Sequence, residues 1–296
     1  MKYILDSGMG TELHERGYEV PDWKKSIWSA HALNESPEAV LEIHKANIKA
    51  GCNVITTNNY YVTPAILKRE GLESKFESLT QRSIDLAIEA KEGNPDILIA
   101  VAFPPIETSF RPDLTPSDEI ITDFYRRIGA IAKDQVDIIL CETMSSVREG
   151  IAAAIVAKEY SNRVWLSWTA RGLSGEDLPN GESLSDAINE GNKLNIECQL
   201  INCLAMDCVT TQIETLKQAE NFGIFANSSV LDHPLTDLGP DCDIDVNHHS
   251  NTKTVSPKEY AKEAKKWIEE GAYVVGGCCS TGPEHIKEIS NLLLRQ

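Results

Sequence analysis

No apolar run in this chain is longer than seven residues, the two longest being Ile97–Phe103 and Ile151–Ala157. A membrane-crossing helix needs about twenty, so neither a transmembrane span nor a membrane partner is expected. The start, Met1-Lys2-Tyr3-Ile4-Leu5-Asp6, is charged too soon for a secretory signal, and a cytoplasmic protein is expected. Basic residues are scarce: 28 Lys+Arg stand against 45 Asp+Glu, a formal net charge of −17. Nucleic acid needs a positive patch, so it is not an expected partner. Low-complexity tracts and internal repeats are also lacking. With 42% hydrophobic and 25% charged residues over 296 positions, the composition is that of a globular chain rather than a disordered one.

The cysteines have no CxxC spacing, although there are eight of them: Cys52, Cys141, Cys198, Cys203, Cys208, Cys242, Cys278 and Cys279. Without a secretion signal, a disulfide framework is not expected. Cys141 and Cys52 read as core thiols, and Cys208 and Cys242 are left undetermined. Metal binding or catalysis is the question for the others.

Eight short β-rich runs recur along the chain, at Tyr3–Asp6, Asn53–Thr57, Ile97–Ala102, Asp137–Cys141, Val164–Trp168, Gln199–Cys203, Gly223–Asn227 and Ala272–Gly276. Most are continuous Ile/Val/Leu/Ala stretches, as parallel strands covered by helices should be. Helix punctuation lies between them. Ser36-Pro37-Glu38 and Thr115-Pro116-Ser117-Asp118 each place a cap before a proline at the first helical position. Ser256-Pro257-Lys258-Glu259 has the spacing of a capping box, and Gly282-Pro283 opens the last helix. Eight β-then-α units without a linker predict a single (β/α)8 barrel domain over residues 1–296. The alternative is an open doubly wound sheet.

A barrel carries its chemistry at the C-terminal ends of its strands. Those ends hold Asp6, Thr57-Asn58, Phe103-Pro104, Glu142, Thr169, Cys203, Asn227 and Cys278-Cys279. Cys203, Cys278 and Cys279 are candidate ligands for zinc, which is soft enough to prefer thiolates. Three protein ligands leave the fourth tetrahedral position open, the mark of a catalytic site. Gly276-Gly277 supplies the freedom for adjacent cysteines to turn inward. The bland reading of the same residues is buried thiols. In Leu5-Asp6-Ser7-Gly8-Met9-Gly10-Thr11-Glu12-Leu13, small residues would let an anion approach backbone N–H groups; an ordinary tight turn is the alternative. His248-His249 reads as a surface loop pair, and Trp165 and Trp168 as packing, with Trp168 a candidate to face the pocket. Phe110-Arg111 is a candidate lid or a surface turn.

Taken together these residues resemble the homocysteine S-methyltransferase family. The resemblance rests on Leu5–Leu13, Trp28-Ser29-Ala30, Gly51–Asn58 with Tyr60, Cys141-Glu142-Thr143, Gly181-Glu182-Ser183-Leu184, Ile201-Asn202-Cys203 and Gly276–Thr281, and spans about residue 3 to 290. It implies a zinc-dependent barrel enzyme that methylates the thiol of homocysteine, with S-methylmethionine or S-adenosylmethionine as candidate donors. It implies Cys203, Cys278 and Cys279 as zinc ligands and Glu142 as the carboxylate holding the substrate ammonium. Asp6, with the backbone around Ser7 and Gly8, would form part of the amino-acid pocket. Asn227 would join the substrate site or approach the metal, and no residue is assigned to proton transfer. Ser7 and Ser280 stand where the family commonly has glycine, and the Phe103–Asp113 segment departs from its usual pattern. Two other readings stay open: a barrel enzyme binding a phosphate at Gly276–Gly282, and a non-catalytic zinc protein.

Overall fold

The computed structural model describes residues 1–171, 177–231 and 252–294. Its strands are β1 (Tyr3–Ile4), β2 (Val54–Thr56), β3 (Leu98–Phe103), β4 (Ile138–Met144), β5 (Val164–Trp168), β6 (Cys198–Ala205), β7 (Phe222–Asn227), β8 (Ser229–Leu231), β9 (Thr252–Thr254) and β10 (Val274–Gly277). All but β8 and β9 form one parallel sheet in the order β1-β10-β7-β6-β5-β4-β3-β2. The end strands of that order meet through a parallel bridge between Leu5 and Val54. Asn53 seals this seam: its Oδ1 accepts the Ile4 N–H at 2.8 Å, and its own N–H donates to the Ile4 carbonyl at 3.0 Å. The sheet is therefore closed, and the architecture is the (β/α)8 barrel rather than the open doubly wound sheet.

Closure buries both faces of the strands, which is why they read as unbroken apolar runs. Leu5, Ala100, Leu140, Trp165, Leu200 and Phe225 fill the barrel interior. Outward residues such as Ile55, Val101, Leu166 and Ile201 pack with the helices in a second, larger core. Trp168 belongs to that outer core. It packs on Gly150, donates its indole N–H to Gln199 Oε1 at 3.0 Å, and does not face the barrel mouth.

Local chemistry sets the helix ends. The helix Pro37–Ala50 starts at its proline and stops at Gly51, whose φ of 104° few other residues adopt. The Ser256–Glu259 capping box forms, and the helix Pro257–Glu269 buries Tyr260, Ala261, Ala264 and Trp267. One expectation is corrected. The helix Asp118–Ala132 begins after Pro116, with Ser117 at its N-cap. Arg148 holds the Thr115 and Pro116 carbonyls at 2.9 and 2.8 Å, and the residue before a proline is pushed toward extended backbone. The antiparallel pairing of β8 with β9 is an addition that the sequence pattern does not show. Cys52 and Cys141 are buried thiols as expected, and so is Cys208. Cys242, His248 and His249 lie outside the described residues. Among the described residues no helix is long and apolar enough to cross a membrane.

Candidate active site at the barrel mouth

A cavity at the C-terminal end of the barrel is lined by Asp6, Ser7, Glu142, Cys203, Cys278 and Cys279, with aromatic walls from Trp23, Trp28, Tyr60, Tyr61 and Phe110. The three sulfurs come from two distant stretches of chain and lie within 4.8 Å of one another. Cys203 Sγ and Cys279 Sγ are 3.7 Å apart. Sulfurs about 2.3 Å from a tetrahedral ion are themselves roughly 3.8 Å apart, so the spacing suits a shared metal ion. The electrostatics agree. The Cys279 thiol is held well below its usual range by hydrogen bonds from Cys203 and Cys278, while the same contacts hold Cys203 well above. Three crowded thiols resist losing all their protons unless a cation offsets the charge.

Irregular backbone aims these side chains. The β4–β5 pairing slips between Cys141 and Met144, and the β6–β7 pairing slips between Asn202 and Ala205. Such bulges re-aim a side chain, and they contain Glu142 and Cys203. Thr143 and Cys203 adopt φ of 61° and 62°, a left-handed conformation that is rare for any side chain and an outlier for a β-branched one. Asn202 holds the arrangement. Its Oδ1 accepts the Thr143 N–H (3.1 Å) and the Ser167 hydroxyl (2.7 Å), and its Nδ2 donates to Thr143 Oγ1 (2.8 Å). Sequence reasoning missed this role of Asn202, although it directly precedes Cys203.

The loop carrying Cys278 and Cys279 turns differently from expectation. Neither Gly276 nor Gly277 has positive φ; the left-handed residue is Ser280, at 60°. The glycines provide space instead: a Cβ on Gly276 would lie 2.6 Å from Leu5 Cβ, and one on Gly277 would lie 2.4 Å from Thr281 Oγ1. Asn227 is buried and does not line the cavity; its Oδ1 accepts the Cys279 N–H at 3.1 Å and so orients the loop that carries Cys278 and Cys279.

The loop's remaining N–H groups are also engaged. Gly277 donates to the Asp6 carbonyl, Cys278 to Ala226, Ser280 to Thr11 Oγ1, Thr281 to Cys278 and Gly282 to His285 Nδ1. With the Cys279 N–H taken as well, residues 277–282 have no free backbone N–H to cradle a phosphate, which weakens that alternative.

The opening loop is similarly occupied. The Ser7 N–H donates to Asn47 Oδ1 (3.3 Å) and the Gly8 N–H to Thr281 Oγ1 (3.1 Å). The Ser7 hydroxyl, by contrast, is buried without a partner. Gly8 permits the close approach of the two loops, since a Cβ there would lie 2.3 Å from the Cys278 carbonyl oxygen. Asp6 is buried, accepts from the Thr56 N–H (2.8 Å) and hydroxyl (3.1 Å), and has its carboxyl pushed up to about 7 by burial. Glu142 is half-buried and accepts no hydrogen bond from the described residues. Desolvation first, then the neighbouring Cys278 and Asp6, hold it well above the usual carboxylate range. A cation beside Glu142 would reverse that shift. Of the candidate lid pair, Phe110 is buried against the cavity, whereas Arg111 turns outward to a bidentate ion pair with Asp113.

A closed parallel barrel with a thiol cluster opposite a carboxylate at the C-terminal ends of its strands defines a class of barrel enzymes whose thiols could hold a metal ion. Residues 3–293 match the family model described as homocysteine S-methyltransferase, and the chain belongs to that family. It is 30% identical to the homocysteine S-methyltransferase of Escherichia coli, over 96% of this chain and 92% of that protein. It is 27% identical to homocysteine S-methyltransferase YbgG of Bacillus subtilis, over 97% and 93%. Among solved structures, it resembles the metallated form of the homocysteine methyltransferase MmuM from Escherichia coli, with a TM-score of 0.79 and 26% identity over 99% of this chain and 96% of that one.

Proposed function

We propose that this chain, an S-methyltransferase by family, transfers a methyl group from a small sulfonium donor to homocysteine, yielding methionine. Cys203, Cys278 and Cys279 would hold zinc, with the fourth position left for substrate sulfur. The observation that carries this reading is the convergence of three sulfurs, two of them 3.7 Å apart, on a cavity that also presents the unpaired Glu142. When bound, zinc supplies the charge that removes the proton from an incoming thiol and keeps its sulfur nucleophilic near neutral pH.

The chain's own residues do the positioning. Glu142, destabilised as an anion by burial, gains most from pairing with the ammonium of an amino-acid substrate. Ser7 lines the same cavity, and its buried hydroxyl has no partner. Trp23, Trp28, Tyr60, Tyr61 and Phe110 surround the remaining space, and aromatic faces attract a sulfonium cation. This supports S-methylmethionine or S-adenosylmethionine as donor. The acceptor thiolate attacks the methyl carbon while the donor carbon–sulfur bond breaks, its electron pair returning to the donor sulfur. Charge is neutralised in the step, so alignment matters more than proton transfer.

Two measurements test the reading. Wild-type protein should carry about one zinc per chain and Cys279→Ala should carry little; full occupancy in the variant would reject the ligand set. Zinc-loaded protein given homocysteine should form methionine with one of the two sulfonium donors. No product from either would favour a different acceptor or a non-catalytic zinc protein.

A further inference from the structure

The segment from Pro104 to Ser117 joins β3 to the next helix and brings Ser109 and Phe110 to the cavity. Its base is held by a residue that has no role in the chemistry above. Glu149 lies in the first turn of the helix Val147–Ala157 and is 2% exposed. Its Oε1 accepts the Ile106 N–H at 3.1 Å, and its Oε2 accepts the Thr115 hydroxyl at 3.3 Å. One buried carboxylate thus ties together two points that flank Ser109 and Phe110. Its neighbour Arg148 reinforces the second point through the Thr115 and Pro116 carbonyls. At the tip, Ser109 Oγ and the Tyr60 hydroxyl lie 2.7 Å apart, and Phe110 is held at φ of 61°. A loop with both its tip and its base fixed can keep a strained aromatic residue over a cavity.

Barrel order shows which substrate this loop serves. The thiols arrive on β6 and just after β10, the two neighbours of β7. In an eight-stranded ring β3 lies across from β7. With the acceptor sulfur at the thiol cluster, a donor aligned opposite it would stand on the β3 side of the mouth, where Phe110 lines the cavity.

We propose that Glu149 is a positioning residue: it clasps the base of the 104–117 loop so that Phe110 walls the methyl-donor half of the cavity. This rests on the methyl-transfer reading for its substrate and on the hydrogen bonds alone for its mechanics. Glu149 touches neither substrate.

Glu149→Ala and Glu149→Gln, both zinc-loaded, are compared with wild type by hydrogen–deuterium exchange and by steady-state kinetics with each substrate varied in turn. In Glu149→Ala, exchange should quicken in peptides covering 104–117 while those covering β6 and β10 stay unchanged. KM for the sulfonium donor should rise roughly tenfold or more, with KM for homocysteine within about twofold and zinc content unchanged, because misplacing a positioning contact spoils one reactant's alignment. Glu149→Gln, which can still accept the Ile106 N–H, should fall between the two; it also serves if the alanine variant does not fold. Unchanged exchange in 104–117 would overturn the clasp, and equal rises in both KM values would overturn its donor-side assignment. If wild type shows no turnover with either donor, the methyl-transfer reading fails, while the exchange arm still decides the clasp.

Discussion

Glu142 sits where a negative charge is poorly solvated, within a cavity shared with Asp6 and Cys278. Such a group binds a cation strongly because the cation replaces missing hydration, and removing one partner of a buried charge pair costs about 2–5 kcal/mol. Glu142→Gln keeps the shape and removes the charge. We expect kcat/KM for homocysteine to drop on the order of a hundredfold while zinc per chain is unchanged, measured by steady-state assay and metal analysis. Unaltered turnover would place the ammonium contact elsewhere. The strand-end pattern made Glu142 and the three cysteines legible, because a barrel gathers those positions whatever the loop detail. The settings of Ser7 and Gly8 were not legible. Their N–H groups are taken by Asn47 and Thr281, 40 and 273 residues away in sequence, and no local motif encodes contacts of that separation.

At the scale of elements, β4 and β6 are bound together by Asn202 just where both become irregular. Removing its amide would strand the Thr143 N–H and Ser167 hydroxyl in a buried setting, and each lost partner costs about 1–3 kcal/mol. We expect Asn202→Ala to lose roughly 2–4 kcal/mol of stability and to raise KM for homocysteine more than Asn202→Asp does, read by urea unfolding and kinetics. Equal KM values in wild type and Asn202→Ala would show that Thr143 keeps its conformation without the clamp. Val164–Trp168 could be read in full because a short run dominated by Val, Trp and Leu, with Ser167 its single polar residue, favours a buried strand. The bulges could not, since Thr143 runs against its own backbone preference and only a partner on another strand sustains it. The misplaced start of the helix Asp118–Ala132 has a similar cause: Arg148 and Glu149, on a different helix, capture the Thr115-Pro116 segment.

For the molecule as a whole, one buried side chain couples stability to acidity. His44 is fully buried, neither ring nitrogen has a partner, and desolvation lowers its pKa from 6.5 to about 4. An unfolded chain takes up that proton near 6.5, whereas the folded chain resists until about 4. Between those values the unfolded state binds more protons, so stability falls as pH falls, by up to about 3 kcal/mol from this group; above 6.5 it adds no slope. Urea unfolding of wild type and His44→Leu from pH 7.5 to 4 should therefore show the variant losing less stability on acidification. Parallel curves would mean that His44 finds a proton-binding partner. Nothing in the sequence marks His44 as buried and unpaired, whereas the closed sheet was legible because eight parallel runs in one chain have few other ways to bury both faces.

The seam beside Asn53 also bears on synthesis. β1 can meet β2 soon after both leave the ribosome, but its other neighbour, β10, emerges only after every other strand of the barrel. Until then the sheet has two raw edges, which are open to pairing with other chains. Cys203 meanwhile waits for Cys278 and Cys279, so the newborn polypeptide acquires a complete three-sulfur grip only once β10 and the loop after it have been made.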